Sequence, residues 1–223
     1  LDIGGYSSKP GAKRISSKIE ISRILPSLIF LRKTYPKLII SIDTFRSDIA
    51  KICLNEGADI INDISSGELD EKMIKIISDF NCPYIMMHMS GNPQNMQKSP
   101  KYKDVVIELI NYLAKKVKFA RDNGIVDLVI DPGFGFGKTI QHNYQLLNNL
   151  DKFKILDIPM LVGFSRKSMI YKTLKTNAEN SLNGTTCLNT IALTKGANIL
   201  RVHDVKQAKE CIILYEKINN ALI

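Results

Sequence analysis

The chain has 223 residues, 44% apolar and 24% charged, with 13 glycines and 8 prolines, which excludes a collagen-like or disordered polymer and allows a sizeable buried core. Its formal net charge of +9 sets up a field that concentrates anionic ligands, although a solvated lysine-rich surface gives the same number without one. The cations are scattered, with no basic block or base-stacking motif; this argues against nucleic acid, and a phosphorylated small molecule fits the same field.

In chain order, Leu1-Asp-Ile3 reads as the end of a strand and residues 15–32 have helical period. An apolar run over 37–43 follows, then a helix over 46–55 and a run over 59–62. The pattern repeats with a helix over 70–79, a run over 83–88, a helix over 105–123, and runs over 127–131, 158–163 and 198–203 before a last helix over 205–222. Asp43 or Thr44 is expected to cap the helix near Arg46, and Asp204 the last one. Gly57, Gly124 and Gly196 stand where left-handed helix stops belong. Continuous β-branched runs separated by crossovers of ten or more residues predict parallel strands buried on both faces.

Six runs plus the opening remnant make about seven strands, where a (β/α)8 TIM barrel has eight in about 250 residues. The expectation is therefore an α/β barrel lacking the first strand and its loop, with residues 1–223 as a single domain. No apolar run approaches the roughly 18 residues of a membrane span, and the opening residues have no signal-peptide core, so a cytoplasmic setting is expected. Cys53, Cys82, Cys187 and Cys211 form no C-x-x-C pair, which predicts neither a disulfide framework nor a structural zinc.

What ends each run is more informative. In order these ends are Asp2, Asp43, Asn62 with Asp63, His88, Asp131, Gly163 leading into Ser165-Arg166-Lys167, and Arg201 with His203. In a parallel barrel the carboxyl ends converge on one rim, so acids, amides and cations from distant parts of the chain would meet there. Asn62 and Asp131 suit a flat heterocycle that presents N–H donors beside acceptors. Arg201 and His203 share a strand face and, with Lys167 at a helix start, suit an anion. For any one of these residues a helix cap or a solvated charge is the simpler explanation; capping explains the whole set poorly.

Three features are set aside. Gly133-Phe-Gly-Phe-Gly137-Lys138-Thr139 ends like a phosphate loop, but Pro132 stands where that pattern needs glycine, leaving a glycine-rich turn in which Phe134 and Phe136 could flank a planar ligand. Asn183-Gly-Thr185 matches a glycosylation sequon, without meaning in a cytosolic protein. His88, between Met87 and Met89, reads as a structural histidine at a strand end rather than a metal ligand.

Seven strings in order carry a resemblance: Asp2-Ile-Gly-Gly-Tyr-Ser-Ser-Lys-Pro-Gly-Ala12, Ser41-Ile-Asp-Thr44, Ile61-Asn-Asp-Ile64, Met86-Met-His-Met89, Asp131-Pro-Gly-Phe-Gly-Phe-Gly-Lys138, Gly163-Phe-Ser-Arg-Lys-Ser168 and Arg201-Val-His-Asp204. Together the chain resembles the dihydropteroate synthase family. The resemblance implies a dimeric transferase of folate biosynthesis that condenses 6-hydroxymethyl-7,8-dihydropterin diphosphate with 4-aminobenzoate, using Mg²⁺. It implies a pterin pocket of Asp43, Asn62, Met87, Asp131, Lys167 and Arg201. The diphosphate would fall to Arg201 and His203, and 4-aminobenzoate to Ser8, Lys9, Phe136 and Ser165. Lys167, Arg201 and Asp131 would be the catalytic set. No residue of this sequence is expected to hold the metal, whose family ligand would lie upstream of Leu1. The opening string departs from the family's Glu-Ser-Thr-Arg-Pro-Gly-Ala at Tyr6, Ser8 and Lys9. Two alternatives stay open: a pterin-binding methyltransferase using methyltetrahydrofolate, and a non-catalytic pterin-binding remnant.

Overall fold

The computed structural model describes residues 1–8, 11–91, 93, 96–97 and 100–221. Among them strands and helices alternate as β1 (Asp2–Ile3), α1 (Ser17–Thr34), β2 (Ser41–Asp43), α2 (Ser47–Asn55), β3 (Ile60–Asp63), α3 (Lys72–Phe80), β4 (Tyr84–Met87), α4 (Val105–Asp122), β5 (Leu128–Asp131), α5 (Ile140–Asn148), β6 (Leu161–Val162), α6 (Ser168–Tyr171), α7 (Leu182–Thr194), β7 (Ile199–Leu200) and α8 (Val205–Asn220). β1 to β5 pair in sequence order, every pair parallel. β6 pairs with β7, and a bridge between Ile130 and Met160 joins the two groups.

The array curls. Arg201, just past β7, donates to the Asp2 carboxylate on β1 at 2.6 Å. Seven strands in a flat sheet would hold those edges roughly 29 Å apart at about 4.8 Å per strand. The curvature is that of the expected barrel, with β1 and β7 facing each other.

Period-two geometry divides each strand between two environments. Ile42, Ile61, Tyr84, Ile130 and Val162 are fully buried and belong to one apolar cluster with Ile24 and Leu28 of α1, Ile49 of α2, Met73 and Ile77 of α3, and Leu109 and Leu113 of α4. The alternate positions, among them Ser41, Asn62, Ile85, Leu161 and Gly163, face a cavity of about 640 Å³ inside the curl. The apolar runs of the sequence therefore overstate the ladders. Residues 37–43 give only Ser41–Asp43, preceded by an exposed Ile39 and a buried Ile40.

Two expected caps are corrected. At α2 Asp43 takes no part; Thr44 Oγ1 accepts the Arg46 N–H at 3.3 Å, and the Asp70 carboxylate reaches across to accept the Ser47 N–H at 2.8 Å. Asp204 does head α8, but its carboxylate accepts Arg166 Nε and Nη2 at 3.2 and 2.7 Å, and the charge-assisted fork outcompetes a helix N–H. The helix stops Gly57, Gly124 and Gly196 do take positive φ, 91°, 83° and 100°.

Candidate active site

Because all strands run in one direction, their carboxyl ends form one rim. Asp43 ends β2, Asn62 stands on β3, and Met87 and Asp131 end β4 and β5. Ser165 and Lys167 follow β6, and Arg201 and His203 follow β7. Asp2, Asn62, Ser165, Lys167, Arg201 and His203 all line the interior cavity.

Arg201 sits between two carboxylates, donating from Nε to Asp2 Oδ2 at 2.6 Å and from Nη2 to Asp43 Oδ2 at 3.2 Å. Asn62 Nδ2 donates to the same Asp2 oxygen at 3.2 Å. Burial, then the neighbouring Asp2 charge, pushes the Asp43 carboxyl above its ordinary range while Arg201 pulls the other way. Against the penalty of burial, Asp2 and Asp43 hold the Arg201 guanidinium above its ordinary value. Asp2 Oδ1 and Ser41 Oγ, facing residues of β1 and β2, are buried without a hydrogen-bond partner among the described residues. Such atoms cost about 1–3 kcal/mol each unless a ligand supplies donors.

Across the cavity, burial lowers the Lys167 ammonium to about 8, with Asp131 opposing the fall and Arg201 adding to it. Lys167 donates to the Phe134 carbonyl and lies 4.8 Å over the Phe136 ring. The Asp131 carboxyl is raised by burial and lowered by Lys167; its Oδ1 accepts the Gly133 N–H at 2.7 Å. Gly133 is required here: its φ is +70°, and an added Cβ would lie 2.1 Å from the His88 carbonyl oxygen. On the β6–β7 side Ser165 Oγ accepts the His203 backbone N–H at 3.2 Å and pairs with His203 Nδ1 at 2.8 Å.

The structure thus gathers Asp43, Asn62, Asp131, Ser165, Lys167, Arg201 and His203. Met87 belongs to an adjoining apolar cluster with Ile64, Met89 and Met96, and Phe136 packs on it. Ser8 is half-buried after β1 and is not among the residues lining the cavity. Lys9 lies outside the described residues. The sequence places Asp2 on the rim as a strand end without giving it a role in the site; its contacts with Arg201 and Asn62 place it there. Sequence reasoning passed over Lys138, 3% exposed, as the tail of a discarded motif.

Residues 1–203 match the family model for pterin-binding enzymes. The dihydropteroate synthase of Escherichia coli K12 is 39% identical over 219 residues, covering 97% of this chain and 77% of that protein. The chain belongs to the dihydropteroate synthase family. A Synechocystis dihydropteroate synthase is also 39% identical, over 92% of this chain and 72% of its own length. Among solved dihydropteroate synthases, the Yersinia pestis enzyme in complex with a sulfonamide drug matches with a TM-score of 0.94 at 35% identity, over 98% of this chain and 80% of that one. The Xanthomonas albilineans dihydropteroate synthase with 4-aminobenzoic acid matches at 0.92 and 33%, over 98% and 78%. The barrel, the transferase class and the place in folate biosynthesis expected from the motifs stand with the dihydropteroate synthases.

Proposed function

We propose that the interior of this cavity binds 6-hydroxymethyl-7,8-dihydropterin diphosphate and its rim 4-aminobenzoate, joining them to 7,8-dihydropteroate with release of diphosphate. Asn62, Asp43 and Asp131 take the hydrogen-bonding edges of the pterin, with Met87 beneath the ring and Lys167 beside it. Arg201 lies against the ring and, with His203, receives the diphosphate. Ser165 and Phe136 meet the aminobenzoate, with Ser8 and Lys9 on the loop that covers it.

The bond between the exocyclic methylene and the bridging phosphate oxygen breaks, and the electron pair leaves with diphosphate. The aniline nitrogen of aminobenzoate then forms the new bond to that methylene and gives up a proton to solvent. Arg201 and His203 neutralise charge as it develops on the leaving oxygen, the kind of interaction that dominates such catalysis. Asp131 at the pterin edge favours the positive charge left on the ring.

The observation that carries this reading is that Lys167 and Arg201 line one cavity with Asn62. A methyltransferase using methyltetrahydrofolate would have no use for the cationic side, and a non-catalytic remnant would bind pterin without turnover. No group of three His, Cys, Asp or Glu side chains among the described residues is placed to hold a metal ion. The Mg²⁺ implied by the resemblance would enter with the diphosphate, since Mg²⁺ is commonly held by one or two carboxylates together with substrate phosphates. No helix among the described residues is long and apolar enough to cross a membrane. A cytoplasmic homodimer is the proposed setting, resting on the family resemblance.

With both substrates and Mg²⁺ in the buffer, the chain is expected to release diphosphate in step with dihydropteroate, measured by a coupled phosphate assay and chromatography. Tighter binding of methyltetrahydrofolate than of the pterin diphosphate, or pterin binding with no diphosphate released, rejects the synthase reading. pH provides a second check. Lys167 holds its proton in the folded chain up to about pH 8, so pterin affinity is expected to persist below that value and decline as pH rises through it. Calorimetric titrations from pH 7 to 9.5 read this limb, which the Lys167→Met variant should lack.

A further inference from the structure

The tail of the discarded phosphate-loop string has a use that a phosphate loop would not give it. Lys138 is 3% exposed and is not among the residues lining the cavity. Its ammonium donates to the carbonyls of Gly133 at 2.8 Å and Phe136 at 2.9 Å, and lies 3.1 Å from His88 Nδ1 and 3.3 Å from the His88 carbonyl. Burial pulls the Lys138 ammonium down to about 7, with Asp131 opposing the fall and Lys167 adding to it; in the ammonium form it has no lone pair, so His88 Nδ1 is then the acceptor and the histidine carries its proton on Nε2. Burial, with the Lys138 charge adding to it, depresses His88 to about 3 and keeps that state neutral. The strand end of β4 and the loop over 133–137 are thereby tied to one buried amine.

That loop is what the site rests on. Its Gly133 N–H engages Asp131, its Phe134 carbonyl takes the Lys167 ammonium, and its Phe136 ring faces the same ammonium. A Cβ at Gly135 would lie 3.2 Å from Lys167 Cδ, so loop and side chain are in close register. The Gly133 and Phe136 carbonyls of the loop and the His88 carbonyl of the strand end converge on this amine; Gly133 also accepts the Phe136 N–H at 3.1 Å, whereas the Phe136 carbonyl relies on Lys138 among the described residues.

We propose that Lys138 is a positioning residue for pterin binding, acting through the 133–137 loop on Lys167; this rests on the pterin-binding reading above. Residues that act as a chain give non-additive losses, whereas a residue that only supports the fold gives losses that add. The test is a double-mutant cycle, with calorimetric binding of 6-hydroxymethyl-7,8-dihydropterin diphosphate to the unsubstituted chain, Lys138→Met, Lys167→Ala and the double variant, each shown to be folded by circular dichroism. Lys138→Met is expected to weaken binding about tenfold in the unsubstituted background and less than about twofold in the Lys167→Ala background. Unsubstituted-like affinity in Lys138→Met, or an undiminished tenfold loss without Lys167, overturns the inference. Should Lys138→Met not fold, the cycle runs on Lys138→Gln, whose amide keeps donors for the Gly133 and Phe136 carbonyls. The same two criteria then apply, with an expected loss of about fivefold. A chain that binds no pterin diphosphate before any substitution rejects the functional reading itself, and the inference with it.

Discussion

Replacing Arg201 with alanine is expected to lower turnover by about three orders of magnitude, the upper range for losing a group that stabilises developing charge. The guanidinium is the joint between β7 and β1, and it holds two carboxylates whose charges repel each other. With it gone, Asp2 and Asp43 face each other without a counter-charge, and the Asp43 carboxyl, already raised, rises further and takes up a proton. The variant therefore loses the diphosphate contact and also presents the pterin with a protonated edge. Arg201→Lys keeps one charge but cannot bridge both carboxylates from a planar fork, and its expected loss is about 10- to 100-fold. Steady-state diphosphate release at saturating aminobenzoate reads both variants. An Arg201→Ala chain that retains a tenth of the activity would remove Arg201 from the reaction.

The second large effect is on stability, at a place that looks like surface in the sequence. Glu20 of α1 is fully buried, accepting Thr44 Oγ1 at 2.8 Å and Arg46 Nη1 at 2.5 Å. Arg46 also donates to the Ile15 carbonyl at 2.6 Å and lies 5.7 Å over the Tyr6 ring and 5.3 Å over Phe45. Burial, with the Asp48 charge adding to it, raises the Glu20 carboxyl, while Thr44 and Arg46 pull the other way. Arg46→Ala leaves that carboxylate without its counter-charge, at a cost of about 3–5 kcal/mol in urea unfolding. A loss below about 1 kcal/mol would mean that the pair is no stronger than an exposed one. Tyr6, where the opening string departs from the motif it resembles, belongs to the same cluster. Its ring is 9% exposed and meets Phe45 edge-on at 5.4 Å, presenting an apolar face beneath Arg46 at the root of the segment that carries Ser8.

The fold was largely legible because its signal is local. Runs such as Ile60-Ile61 and 128–130 place apolar residues on both faces, as a parallel strand with helices on one side and the barrel interior on the other does. Polar strand ends were legible for the same reason: a parallel array turns a position in each run into a place on one rim. Helix caps were legible only in part. Asp204 stands where a cap belongs, yet Arg166, 38 residues away, takes its carboxylate, and no sequence window contains that competition.

By itself the sequence determined the alternation of elements, the rim on which chemistry gathers and the family, since each depends on residue type at a fixed spacing. Tertiary structure alone decided which charges meet. Asp2 and Arg201 are 199 residues apart and join only because the strand array curls on itself. Lys138 is buried among acceptors only because the glycine loop folds its carbonyls around it. Coulombic and hydrogen-bond energies depend on distance and desolvation, and both are set by packing rather than by order along the chain.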